Sequence, residues 1–257
     1  MNSVVNHLEG WKIKALVFSI VIAIGGYLGF SLWGGWEEVV DAFIQIGWLG
    51  TLLALAMSLV NYGLRFVRWQ LYLAKLNHPV RHLASLRIYL TGFALTTTPG
   101  KAGEAFRGIL LKQRGVPFPA SFAAFISERL SDLIAIILLT LFALTQYPDA
   151  RGLVLVGVVG IALILGVLAS KTLLSKIHNA ASSRDGKIVT FIAYTSDMLM
   201  SARACHNPKL LLSATAISFI AWGAEALAFY WVLNWLGADI SLSFAVFVYA
   251  ISMLAGA

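Results

Sequence analysis

Lys101, Glu104 and Arg107 stand three residues apart, directly after Thr96-Thr97-Thr98-Pro99-Gly100. At helical pitch this spacing puts an ammonium, a carboxylate and a guanidinium roughly on one face. Pro99 cannot donate a backbone hydrogen bond, and Gly100 and Gly103 loosen the chain beside it. Thr98 suits the cap of the helix that follows, and Pro99 its first turn. The free amides of that helix start, with Lys101 close by, would hold a phosphate or a carboxylate. The alternative is that the three charges pair among themselves and only hold the segment together.

Three further groups carry chemistry. Arg65 and Arg68 share a helix face with Asn61 and Tyr72, where an arginine can grip a phosphate through two parallel N–H bonds. The competing reading has both arginines snorkel to the water interface as topology anchors. In Ser127-Glu128-Arg129-Leu130-Ser131-Asp132 the two carboxylates are four apart, hence neighbours on a helix. They would supply counter-charge to Lys101, Arg107 or Arg87, or form a proton or cation site, with Arg129 in a structural pair. Glu225 stands near the middle of an apolar run beside Trp222 and Tyr230. A carboxylate at that depth needs a partner or a proton, so charge balance and proton coupling are both open to it.

Catalysis finds no support. His7, His78, His82, His178 and His206 form no zinc signature, and Cys205 is the only cysteine. There is no nucleophile elbow, phosphate-binding loop or dinucleotide fingerprint. Neither an enzyme, a metal nor a cofactor is expected.

These residues must be positioned by a membrane framework. Of 257 residues, 59% are hydrophobic and 12% charged, with a mean hydropathy of +0.82. A soluble domain carries about 25% charged residues, so one all-α, polytopic membrane domain over 1–257 is expected. The net charge of +7 belongs to basic residues at the ends of apolar runs, where they set topology and meet anionic lipid. Nucleic acid is not an expected partner. Runs at 14–33, 48–74, 120–146, 152–170 and 209–236 are long enough to cross a bilayer. The first has no small-residue cleavage pattern and reads as an uncleaved span.

Lys12 and Lys14 place the N-terminus in the cytoplasm. Glu37, Glu38 and Asp41 then lie outside on a short amphipathic segment, and Tyr147-Pro148-Asp149 forms an outer turn. Residues 171–209 form a basic cytoplasmic loop, which Ser182-Ser183-Arg184-Asp185-Gly186 breaks into two interfacial helices. Between 82 and 114 the halves 82–96 and 99–113 are each short for a span, and together they predict a re-entrant helical hairpin opening to the cytoplasm. A unit of span, turn and apolar segment at 48–96 recurs at 209–257, an offset of 160. The copies enter from opposite sides, as in transporters built from inverted-topology repeats. A second helix break would fall just past Ala257, so a chain truncated at its C-terminus is expected.

Several of these residues carry a family resemblance. Arg65-Phe66-Val67-Arg68-Trp69, Tyr89-Leu90-Thr91-Gly92-Phe93-Ala94-Leu95 running into Thr98-Pro99-Gly100-Lys101-Ala102-Gly103-Glu104, Gly115-Val116-Pro117 and Glu128-Arg129-Leu130-Ser131-Asp132 resemble the flippase-like family named for the transmembrane region of lysylphosphatidylglycerol synthase. The similarity runs from about residue 14. It implies handling of lipids: aminoacylated phospholipid, glycolipid, polyprenyl phosphate or hopanoid.

The expectation is thus a lipid flippase or transporter of the bacterial inner membrane. Arg65, Arg68, Thr98, Gly100, Lys101, Glu104 and Arg107 would bind an anionic head group. Glu128, Arg129, Asp132 and Glu225 would balance charge or couple protons. The rivals are a lipid-modifying transferase and a membrane scaffold that recruits a lipid or glycolipid synthesis enzyme through 171–209. A homo-oligomer is also open.

Overall fold

A sequence this rich in apolar residues folds mainly as helices joined by short turns in the computed structural model, which describes residues 21–22, 25–26, 28–29, 32–33, 35–94, 102–141, 144, 151–182 and 186–255. Much of the first expected run, 14–33, lies outside the described residues, as do Tyr147-Pro148-Asp149 and the segment 95–101 that contains the Thr-Pro-Gly-Lys turn.

Helix α1, Trp36–Lys75, turns sharply at Gly47, whose φ of 69° and ψ of 170° are not helical. Positive φ is strained for residues with a Cβ and free for glycine. The acidic amphipathic segment and the apolar span after it are therefore two helices meeting at this glycine. Trp36, Phe43, Ile44 and Trp48 are exposed around the bend. Helices α2, His82–Ala94, and α3, Ala102–Lys112, pack on each other.

Helix α4, Phe118–Leu141, is the central post and touches α1 and α3. It also touches α5, Arg151–Ala169; α7, Lys187–Ala204; α8, Pro208–Trp235; and α9, Leu242–Ala255. Between α5 and α7 lies α6, Lys171–Ser182, bent 70° from α5 after Ser170. Asn207 caps α8 by accepting from the Leu210 amide at 2.9 Å, with Pro208 in the first turn.

Among the described residues two helices, α1 and α8, are long and apolar enough to cross a membrane, and a third span arises if α5 and α6 count as one. Of the five runs expected, 14–33 lies largely outside the described residues, 48–74 and 209–236 fall in α1 and α8, and 152–170 falls in α5. The run 120–146 becomes α4, whose middle carries Glu128, Arg129 and Asp132, turned toward neighbouring helices. The region 171–209 holds two helices, α6 and α7, parted after Ser182 where the sequence places the break, and α7 packs along α4, with Ser196 and Ala202 buried.

Two helix–turn–helix units have matching backbones 160 residues apart. Helix α1 ends at Leu76 with φ −81° and ψ 5°, and α8 at Leu236 with φ −79° and ψ 6°. The next residues, Asn77 and Gly237, have φ of 60° and 84°. His78 N–H then donates to the Leu73 carbonyl at 2.9 Å, and Ala238 N–H to Leu233 at 3.0 Å, the closing bond of a Schellman cap in both places. The Trp69 and Tyr89 rings stand 5.9 Å apart at 44°, and Phe229 and Tyr249 stand 6.0 Å apart at 46°.

Candidate functional site

The face of α1 that carries Asn61, Arg65, Arg68, Trp69 and Tyr72 is buried against α4 and α8. Ser127, Glu128, Ser131 and Asp132 point back from α4. Arg107 arrives from α3. None of Arg65, Arg68, Arg107, Glu128 and Asp132 is more than 6% exposed.

Arg68 is the best-held cation. Its Nη1 bonds Asp132 and the Ser218 hydroxyl, its Nη2 donates to Asp132 Oδ2 at 3.2 Å, and Glu128 lies 3.8 Å away. It is wholly buried, so its reading as a snorkelling anchor is corrected: the guanidinium finds its polar partners inside the bundle. Arg107 pairs with Glu128 at 2.9 Å and lies over the Trp69 ring at 4.6 Å and the Tyr89 ring at 5.2 Å. Gly92 makes room for it. A Cβ there would fall 2.5 Å from Arg107 Cγ.

Asp132 also accepts from Trp222 Nε1 at 2.8 Å and from Arg129 at 3.2 Å. Arg129 is three-tenths exposed and lies toward the edge of the cluster. Tyr72 donates its hydroxyl to the Ser127 carbonyl at 3.0 Å, which fixes α4 against α1.

Arg65 is held differently. Its nearest carboxylate oxygen, Asp132 Oδ2, is 3.9 Å away. Its guanidinium sits 4.9 Å from the Phe93 ring centre and 5.0 Å from that of Trp222, a cation between two π faces. Its Nε has no hydrogen-bond partner among the described residues, and neither does the buried Tyr89 hydroxyl. Among the described residues the cluster buries Arg65, Arg68 and Arg107 against Glu128 and Asp132, with Arg129 at its edge, and of the three buried arginines Arg65 lies farthest from a described carboxylate.

The remaining expected residues are placed as follows. Thr98, Gly100 and Lys101 lie outside the described residues, and of Glu104 only the helical backbone is described. Arg87 is exposed on α2 and is not a partner of the acidic pair. Glu225 is partly buried on α8 and accepts a hydrogen bond from the Tyr249 hydroxyl at 2.5 Å. Sequence reasoning missed Trp69, Tyr89, Phe93, Ser218 and Tyr249. The 160-residue offset held a usable signal, because it sets Tyr249 opposite Tyr89 and Glu225 opposite Arg65. No group of His, Cys, Asp and Glu that could hold a metal occurs among the described residues.

Comparison with known proteins agrees with a membrane location. A UPF0104 membrane protein, PH1989 of Pyrococcus horikoshii, is 24% identical over 253 residues, covering 86% of this chain and 75% of the relative. No solved structure matches the chain. The family model described as the lysylphosphatidylglycerol synthase TM region matches residues 16–257, and the chain belongs to that family.

Proposed function

We propose that this protein transports a lipid with an anionic head group between membrane leaflets, with Arg65 at the head-group site. The reading rests on Arg65, a buried guanidinium whose nearest described carboxylate oxygen is 3.9 Å away and whose Nε has no hydrogen-bond partner among the described residues. A buried cation that is loosely paired and kept beside aromatic faces is ready for a phosphate or carboxylate oxygen. Arg68 and Arg107, locked by Asp132 and Glu128, shape the site and hold α3 and α4 in place. Lys101, which lies in sequence between α2 and α3, would add its charge to the head group.

The matching units on α1–α2 and α8–α9 support an inverted repeat, and the packed pair α2–α3 supports a re-entrant hairpin. Side chains met along α1 and α8 run in opposite order: Gly50 lies beside Trp235, Asn61 beside Ala221 and Arg68 beside Ser218. Basic residues at 12, 14 and 75 favour a multi-pass inner-membrane protein with its N-terminus in the cytoplasm. The family's description, which names a lipid synthase, agrees with a lipid substrate.

The test is transbilayer movement of fluorescent phosphatidylglycerol in liposomes, with labelled phosphatidylcholine as control. Wild type should exceed protein-free vesicles for the anionic lipid, and Arg65→Gln should fall to the protein-free rate. Equal rates in all three preparations would overturn the reading.

A further inference from the structure

The Tyr89 hydroxyl is a second polar group left idle beside Arg65. Tyr89 is 1% exposed, and its oxygen has no hydrogen-bond partner among the described residues. A buried hydroxyl without a partner costs free energy, so one kept in a fold calls for a use.

The ring that carries it is firmly placed. It stands 5.5 Å from the Phe66 ring, 5.9 Å from Trp69 and 4.8 Å from Phe93, with the Arg107 guanidinium over it at 5.2 Å. The charged groups that act on the hydroxyl are Glu128, Arg65, Arg68 and Arg107. A guanidinium only donates, and Glu128 accepts from Arg107 at 2.9 Å. What the hydroxyl lacks is an acceptor.

Arg65 lacks the same thing. Its Nε has no partner among the described residues, and after Asp132 the titratable group that acts on it most strongly is Tyr89. Phe93 joins the two in space. Its ring centre is 4.9 Å from the Arg65 guanidinium and 4.8 Å from the Tyr89 ring. Two idle donors from different helices, α1 and α2, thus border one aromatic ring.

We propose that Tyr89 is the second donor of the head-group site, giving its hydroxyl hydrogen to one phosphate oxygen while Arg65 holds another. This deepens the function proposed above and rests on it. A phosphate carries several acceptor oxygens around one centre, so donors on two sides can meet it together. The hydroxyl supplies a hydrogen bond without a further charge in the cluster. A phosphate held in this way would also tie α2 to α1.

The experiment compares wild type, Tyr89→Phe and Arg65→Gln in detergent by calorimetric titration with dihexanoyl phosphatidylglycerol and, separately, with inorganic phosphate. Tyr89→Phe keeps the ring and removes only the hydroxyl. Its affinity for the lipid should fall about tenfold, and Arg65→Gln should show no measurable binding. Inorganic phosphate should bind none of the three measurably. Wild-type affinity in Tyr89→Phe overturns the inference. So does inorganic phosphate bound as tightly as the lipid, which would make a free anion the ligand.

A second readout separates a ligand donor from a structural group. Without ligand, Tyr89→Phe should melt no lower than wild type, because the hydroxyl it loses has no partner to give up. A lower melting temperature would mean that the hydroxyl serves only to hold an ordered water, and overturns the proposal. If wild type fails to bind the lipid, the head-group reading falls for that lipid and this inference with it. If wild type binds, Arg65→Gln does not, and Tyr89→Phe binds fully, the head-group reading stands and this inference alone falls.

Discussion

The side-chain amide of Asn61 donates at 2.9 Å to the backbone carbonyl of Ala221, 160 residues further on. The same interval separates the turns at Leu76 and Leu236. Helices α1 and α8 thus touch at two positions that the proposed repeat would make equivalent.

Asn61→Ala removes a buried hydrogen bond at that crossing. Its loss should lower stability by about 1 to 2 kcal/mol. The readout is within the chain itself: Cys205 is the only cysteine, is fully buried, and its thiol is pushed up to about 11 by burial. A thiol-reactive dye should label the folded protein slowly and report unfolding, with the variant melting several degrees below wild type.

Arg65 and Arg68 should separate stability from binding. Arg68→Gln leaves Asp132 and Glu128 short of a buried partner and should cost about 3 to 5 kcal/mol. Arg65→Gln loses contacts with two aromatic rings but leaves Asp132 bound to Arg68 and Arg129, so its cost should be about 1 kcal/mol. Melting in the dye assay, set beside retention of phosphatidylglycerol on purification, checks both. Equal destabilisation by the two changes would contradict the division of roles drawn here.

Gly92→Ala places a methyl group against the Arg107 stem, which is pinned by Glu128 and by the Trp69 and Tyr89 rings. The crowding should cost about 1 to 3 kcal/mol. Fluorescence of Trp69 should shift as Arg107 leaves its ring. An unchanged spectrum and melt would show that α2 can move away freely.

His206 should make stability depend on pH. Burial lowers its pKa, its Nδ1–H donates to the Ala202 carbonyl at 2.7 Å, and its Nε2 has no partner among the described residues. Above the unfolded value of about 6.5 both states are neutral and the stability is fully present. As pH falls, the unfolded chain binds the proton first, and stability is lost down to the folded pKa. Wild type should therefore lose more of its melting temperature between about pH 7.5 and about pH 5 than His206→Asn, which keeps a donor for Ala202 and does not titrate.

Much of this frame is legible in sequence because it depends on short-range patterns. Apolar runs bounded by basic residues give the long helices, and carboxylates four apart give the acidic face of α4. The offset between the Leu76 and Leu236 turns points to two places where the backbone does take the same turn. The pairings are less legible, because they join residues far apart in the chain. Arg68 finds Asp132 across 64 positions and Ser218 across 150. Local spacing allows such an arginine to be an anchor or a core ion equally, and the packing of α1 against α4 and α8 decides. Arg87 shows the converse. Its charge matched the acidic pair, but its place on α2 turns it outward.

Under the proposed transport function the two rings over Arg65 would also act as a selectivity threshold. Phe93 and Trp222 hold the guanidinium while the site is empty. A spherical ion such as chloride, offering no pair of oxygens, cannot match both contacts at once. A phosphate can, by meeting two guanidinium N–H groups together. The aromatic cover would therefore keep abundant small anions from using the pathway, and the barrier against ion leakage would be set by Phe93 and Trp222 rather than by a closed gate.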